Sequence, residues 1–420
     1  MTPHTDRMRS HPPDGRFGGL WADLAGIGRD ALRGGYARHG FDDADLQLRE
    51  WFVEQARRRG LDTETDRNGN LWAWWGSPGP NAVVTGSHLD SVPGGGAFDG
   101  PLGVVSALLA VDELRLRGVR PAVPLALVCF AEEEGGRFGL PCLGSRLLVG
   151  AIDPDAARRL RDGDGISVAD AMQRAGVDPA GAGPDPQRLA GIGAFVELHI
   201  EQGRLLRAAD PTAAIGVGSS IVAHGRWRIT VSGQGNHAGT TAPRDRHDPM
   251  IPAAGAVLAA RRVIQAHPGA VATVGRLQPI PGGTNVIASS VDVWLDVRHG
   301  AAADTSALVD EILHEARAEA ELEGCDLRVH RESMTDQVTF DPALTMDLSA
   351  RLGAPAVPTG AGHDAGLLAP HVPTAMLFVR NPSGVSHAPD EYAETQDCLT
   401  GVRALADTLE GLLAPEAVPR

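Results

Sequence analysis

Gly86-Ser87-His88-Leu89-Asp90-Ser91-Val92-Pro93-Gly94-Gly95-Gly96-Ala97-Phe98-Asp99-Gly100-Pro101 is the stretch on which the reading of this chain turns. An apolar strand over 82–87 runs into it. A helix leaves it at Pro101, a residue tolerated in the first helical turn, and continues to about Arg117. A histidine and two aspartates therefore sit on a glycine-rich turn between a strand and a helix. The pattern recurs downstream. The apolar run Pro124 to Ala131 ends in Glu132-Glu133-Glu134, Ala194 to Ile200 carries His199, and Thr374 to Val379 leads through a short loop to His387. Open α/β sheets place their sites at the C-terminal ends of strands. His88, Asp99, Glu134, His199 and His387 are thus read as metal-binding side chains, a set that suits zinc, manganese, cobalt or nickel. A carboxylate shared by two such ions holds them about 3.5–4 Å apart, a geometry that activates water.

Around these positions, helical and extended patterns alternate. Residues 45–60 read as an amphipathic helix and 70–75 as a strand, which argues for an α/β sheet with helices on both faces. A different pattern occupies 214–331. Strand 225–232 is followed by helix 249–266, strands 270–277 and 290–298, helix 305–323 and strand 325–331. That β-α-β-β-α-β order is the ferredoxin-like, split-βαβ arrangement of a small inserted domain. The α/β pattern then resumes, with Asp341-Pro342 and Gly353 bracketing its first helix. The expected organisation is a discontinuous metal-binding domain, 17–213 and 332–420, an inserted domain, 214–331, and a disordered tail, 1–16.

The 420 residues are 43% hydrophobic and 22% charged, with a formal net charge of −15. No basic stripe is present, so a nucleic-acid partner is not expected. No apolar run is long enough to cross a bilayer, and residues 1–16 lack the apolar core of a signal peptide. Four widely spaced cysteines without a CxxC pair read as reduced packing residues of a cytoplasmic protein. The chain has no lysine. That removes a phosphate-loop lysine and Schiff-base chemistry, so Gly94-Gly95-Gly96 reads as a turn. No GxSxG surrounds any serine.

These residues resemble the N-carbamoyl-L-amino-acid hydrolase and allantoate amidohydrolase branch of the aminoacylase-like dinuclear metallohydrolases. The resemblance runs from about Trp21 to the C-terminal helix. It is carried by Gly86-Ser87-His88-Leu89-Asp90, Phe98-Asp99-Gly100-Pro101-Leu102-Gly103, Glu133-Glu134-Gly135-Gly136-Arg137-Phe138, His199-Ile200-Glu201-Gln202-Gly203, Gly235-Asn236-His237-Ala238-Gly239-Thr240-Thr241, Gly283-Thr284-Asn285, Asp296-Val297-Arg298 and Gly360-Ala361-Gly362-His363-Asp364. It implies that Asp99 bridges two divalent ions, His88 and His199 completing one site and Glu134 and His387 the other. It further implies Glu133 as general base, Asp90 as the carboxylate orienting His88, and Gln202, His237, Asn285, Arg298 and His363 as substrate-binding groups. His199 stands where peptidase relatives have a carboxylate, which points to the ureido-cleaving branch. A homodimer through the inserted domain is also implied, with that domain acting as a lid. Ala242-Pro243 departs from the family's Pro-Met without removing a functional group.

Plainer readings stand beside these. An acidic triplet is ordinarily a solvated turn, but three carboxylates after a buried-type strand repel unless cations neutralise them. Glu132 is read as structural or as a group that supports the ligands from behind. His237 also fits a loop histidine, Arg298 a surface ion pair, and His363 with Asp364 a helix cap. The expected activity is hydrolysis of a ureido C–N bond in a small carboxylate substrate, allantoate first, giving ureidoglycine, ammonia and carbon dioxide. N-carbamoyl-L-amino acids, including a β-ureidopropionase-like substrate, come second. A dipeptidase or aminoacylase and a metal-free binding protein are the remaining alternatives.

Overall fold

The computed structural model describes residues 13–414. The chain forms two compact units, one running to Ser220 and resuming at Thr339, the other Ile221–Val338. The larger unit is built on a nine-stranded mixed sheet. At its centre lie four parallel strands in the spatial order Leu125–Phe130, Ala82–His88, Ile192–Ile200, Thr374–Val379. Almost every residue in them is buried, which explains why they read as unbroken apolar runs and not as alternating ones. Leu71–Trp75 and Asp62–Thr65 extend one edge antiparallel, and Ile215–Ile221 pairs antiparallel with Thr374–Val379 at the other.

In chain order these central strands run second, first, third, fourth. The second strand adds on one side of the first and the third and fourth add on the other, so the topological switch lies between Ala82–His88 and Ile192–Ile200. His88 closes one of those strands and His199 sits near the end of the other. Val83, Leu127, Val196, Leu198 and Leu377 share one core with the helices Asp43–Arg58, Pro101–Leu116 and Thr395–Leu412. Val84, Val128, Phe195 and Phe378, one residue out of phase, are equally buried on the opposite face. Helix Pro101–Leu116 is buried nearly all round, as its continuous apolar sequence requires.

The smaller unit has the β-α-β-β-α-β order expected. Its strands are Ala223–Ser232, Val271–Ile280, Ser290–His299 and Asp326–Thr335, and its helices Met250–Ala266 and Ala302–Leu322. The sheet runs fourth, first, third, second with antiparallel neighbours throughout, so the first two strands are parallel and split by the third. Ile229, Val231, Val293 and Leu295 pack on Ala256, Ala260, Leu308 and Ile312. Two further short strands, Asn236–His237 and Val286–Ile287, pair with each other.

Three expected boundaries shift. The insertion begins at Ile221 and not at 214, because Ile215–Ile221 belongs to the large sheet, and it ends at Val338 because its last strand continues to Thr335. Residues 13–16, expected within the tail, open the helix Pro13–Leu24. Phe17, Leu20 and Leu24 bury its inner face, and the Arg16 guanidinium reaches Glu113 at 2.8 Å. The remainder of that tail lies outside the described residues. No helix among the described residues is long and apolar enough to cross a membrane.

Candidate metal centre

Because the four central strands are parallel, their C-terminal ends share one edge of the sheet, and the five expected ligands meet there. Asp99 lies between them. Its Oδ1 is 3.2 Å from His199 Nε2 and 3.5 Å from His88 Nε2. Its Oδ2 is 3.4 Å from His387 Nε2, which in turn is 3.3 Å from Glu134 Oε2. The two oxygens of one carboxylate thus face two different sets, His88 with His199 and Glu134 with His387.

The imidazoles are held with Nε2 turned inward. His88 Nδ1 lies 3.1 Å from the Asp90 carbonyl oxygen and His199 Nδ1 lies 2.8 Å from that of Ile200. A proton on Nδ1 satisfies each carbonyl and turns each Nε2 lone pair inward, that of His199 also facing the Gly100 N–H at 3.2 Å. His88 Nε2 is buried and has no hydrogen-bond partner. A tetrahedral ion with bonds near 2.0–2.1 Å separates its ligand atoms by about 3.3 Å. The four gaps around Asp99 and Glu134 cluster at that value, whereas direct charge-assisted hydrogen bonds close to about 2.7–2.9 Å. The donor set fits divalent metal ions.

The electrostatics say the same. Burial would raise the Asp99 carboxyl, but the charge on His199 and contacts from all three histidines hold it well below its ordinary value. Burial pushes Glu134 up to about 8, Asp99 adding to the rise. Burial also drives Glu133 well above its usual range, with His88 pulling against it. His387 is raised to about 9, first by its contact with Asp99. Such a crowd of buried carboxylates is short of positive charge, which metal ions supply.

Around the centre, Glu133 Oε2 lies 3.6 Å from His88 Nε2. Gln202 Nε2 donates to Asp99 Oδ2 at 2.6 Å. Asp90 does more than expected. Its carboxylate accepts the backbone N–H groups of Glu133 at 3.1 Å and Glu134 at 3.0 Å, while His88 Nδ1 is nearer the Asp90 carbonyl than its carboxylate. One residue therefore braces both the histidine and the acidic turn. Glu132 is structural, accepting backbone N–H groups from Gly40, Arg137 and Phe138.

His363 is buried, its ring centred 4.6 Å from that of His199, and its Nε2 lacks a partner. Neither it nor Asp364 caps the short helix they open, since Asp364 accepts from Ser145 Oγ at 2.5 Å and His363 makes no cap bond. His237, Asn285 and Arg298 lie in the smaller unit. There Ala238 N–H donates to the Asn285 carbonyl at 3.1 Å, which brings His237 and Asn285 side by side. Arg298 Nε donates to Asp296 at 2.9 Å, so the ion-pair reading of this residue has its partner.

Three contacts had no sequence signal. Ser386 Oγ reaches Asp99 Oδ2 at 3.3 Å, Cys142 Sγ reaches Glu133 Oε1 at 3.3 Å, and Glu391 accepts from the Asp99 backbone.

Residues 84–411 match the model of peptidase family M20/M25/M40. The chain is 35% identical to the N-carbamoyl-L-amino acid amidohydrolase of Geobacillus stearothermophilus over 93% of its length and 97% of that protein. It is 33% identical to the allantoate amidohydrolase of Escherichia coli over 91% and 94%. A hydantoinase/carbamoylase family amidase from Burkholderia multivorans superposes with a TM-score of 0.83 at 30% identity, covering 97% of this chain and 98% of the other. The chain therefore belongs to peptidase family M20/M25/M40, and within it stands with the amidohydrolases, enzymes that cleave C–N bonds other than peptide bonds.

Proposed function

We propose that this protein hydrolyses a carbamoyl C–N bond in a small carboxylate-bearing ureido compound, with two divalent ions, zinc or manganese first, held by His88, Asp99, Glu134, His199 and His387. The observation that carries this reading is Asp99, whose two oxygens face separate histidine sets at ligand-to-ligand spacing. When bound, such ions acidify a water and polarise the substrate oxygen.

The chain's own groups carry the rest. Glu133 takes a proton from the attacking water and delivers it to the leaving nitrogen. Its Oε2 lies 3.6 Å from His88 Nε2, beside the proposed ligand set. Asp90 fixes the backbone on which Glu133 stands. His237 and Asn285 stabilise the developing oxyanion, His237 reaching in from the other copy of a two-fold dimer, while Arg298 holds the substrate carboxylate and Gln202 and His363 line the metal edge. The carbamic acid released falls apart to ammonia and carbon dioxide.

Allantoate is placed first and N-carbamoyl-L-amino acids second, and relatives of both names support the pair. The test is ammonia release by the metal-loaded protein across allantoate, N-carbamoyl-L-amino acids and dipeptides. Turnover of ureido substrates with no dipeptide cleavage is the expected result. Dipeptide cleavage alone would overturn it.

A further inference from the structure

We propose that Glu391 is a positioning residue that ties the loop bearing Asp99 to the loop bearing His387, so that both ion sites depend on a carboxylate outside the ligand set. The inference rests on reading Asp99 and His387 as ligands. Glu391 is 4% exposed. Its Oε1 accepts the backbone N–H of Phe98 at 2.8 Å and that of Asp99 at 2.9 Å. Buried donors on a tight turn need such a partner, and no nearby strand supplies one.

The fit is close. A Cβ placed on Gly96 would meet Glu391 Oε1 at 2.3 Å and Cβ at 2.5 Å, so the arm of Glu391 lies directly against that backbone. Next to it, the ring of Tyr392 stands edge-on to Phe98, which packs in turn on Trp21. Glu391 N–H donates to the Ala388 carbonyl at 3.1 Å, one residue beyond His387. A single short segment therefore carries a proposed ligand at one end and the clamp on another ligand at the other. Because the two Asp99 oxygens serve different histidines, the direction of its backbone sets both halves of the centre.

A competing role is that Glu391 merely adds negative charge. Glu391→Gln separates the two. An amide oxygen accepts the same two N–H bonds, and the amide nitrogen replaces Oε2, which has no hydrogen-bond partner. The experiment is Mn²⁺ binding to the metal-stripped full chain by equilibrium dialysis, with thermal unfolding as a check on folding. Glu391→Ala is expected to weaken both Mn²⁺ sites about 10–100-fold, the usual effect of losing a group that orients a ligand. Glu391→Gln is expected to bind close to wild type. Gly96→Ala, which displaces the arm without removing it, is expected to mimic Glu391→Ala and to add little on top of it. Wild-type binding in Glu391→Ala overturns the proposal, as does a Glu391→Gln variant as weak as the alanine. If Glu391→Ala does not fold, Gly96→Ala against Glu391→Gln makes the same comparison. A wild-type chain that binds no Mn²⁺ overturns the metal reading itself, and this inference with it.

Discussion

Glu133 and Glu134 are neighbours in the chain, yet they face different partners. Glu134 points at His387, whereas Glu133 points at His88 from the other side of the turn that Asp90 braces. Their substitutions are expected to separate cleanly. Glu134→Ala removes a ligand and lowers the metal content measured after dialysis. Glu133→Gln keeps both metals but loses about 10²–10⁴ in kcat, the usual share of a general base. Near-normal turnover in Glu133→Gln would show that another group takes the proton. Proton bookkeeping gives a second expectation. In the metal-free protein His387 is raised to about 9 and Glu134 to about 8, so both carry protons at pH 7. Ligation needs the neutral imidazole and the carboxylate, so metal uptake at pH 7 releases protons, and affinity falls as pH is lowered. Uptake in weak buffer with no acidification would contradict those assignments. At this scale the sequence was most legible where an apolar strand stops at a polar residue, as at His88 and Glu132–Glu134. Glu391 and Cys142 were not, because their contacts with Asp99 and Glu133 arise only when the loops fold together.

The strand–turn–helix element from Ala82 to Leu116 sets the centre's geometry through one residue, Gly100. Its backbone, at φ 82° and ψ −61°, makes the tight turn from Asp99 into the helix, and it donates its N–H to His199 Nε2 at 3.2 Å. A side chain there is strained by about 1–3 kcal/mol. A Cβ would also sit 2.5 Å from the His88 ring. Gly100→Ala is expected to lower the thermal unfolding midpoint and weaken metal binding together. An unchanged midpoint with full metal content would show that the turn relaxes freely. Periodicity gave the elements themselves well, because buried parallel strands and a helix starting at Pro101 leave plain patterns. It failed at the boundary near residue 214. Ile215–Ile221 and the alternating strand Ala223–Ser232 follow one another with only Val222 between them, so no linker marks the change from one sheet to the other.

For the whole molecule, the expectation that remains a proposal is a two-fold dimer through the inserted unit, with His237 reaching the partner's centre. Glu133→Gln and His237→Ala, each nearly inactive alone, are expected to complement when subunits exchange. Half the dimers are then mixed and half their sites intact, so activity returns to about a quarter of wild type. Exchange demonstrated by mass without recovery would place His237 in its own chain's site or in none. The split-βαβ order of that unit was legible from alternating strands and two amphipathic helices, whereas its assembly is not written in any local pattern. If the chain works through two divalent ions held around Asp99, removing the metal stops it. The full chain is stripped with a chelator, its metal content counted, and ammonia release from a ureido carboxylate followed as Mn²⁺ or Zn²⁺ is returned. No turnover is expected when stripped, with recovery that saturates at two ions per chain. Full turnover by protein shown to be metal-free would contradict it.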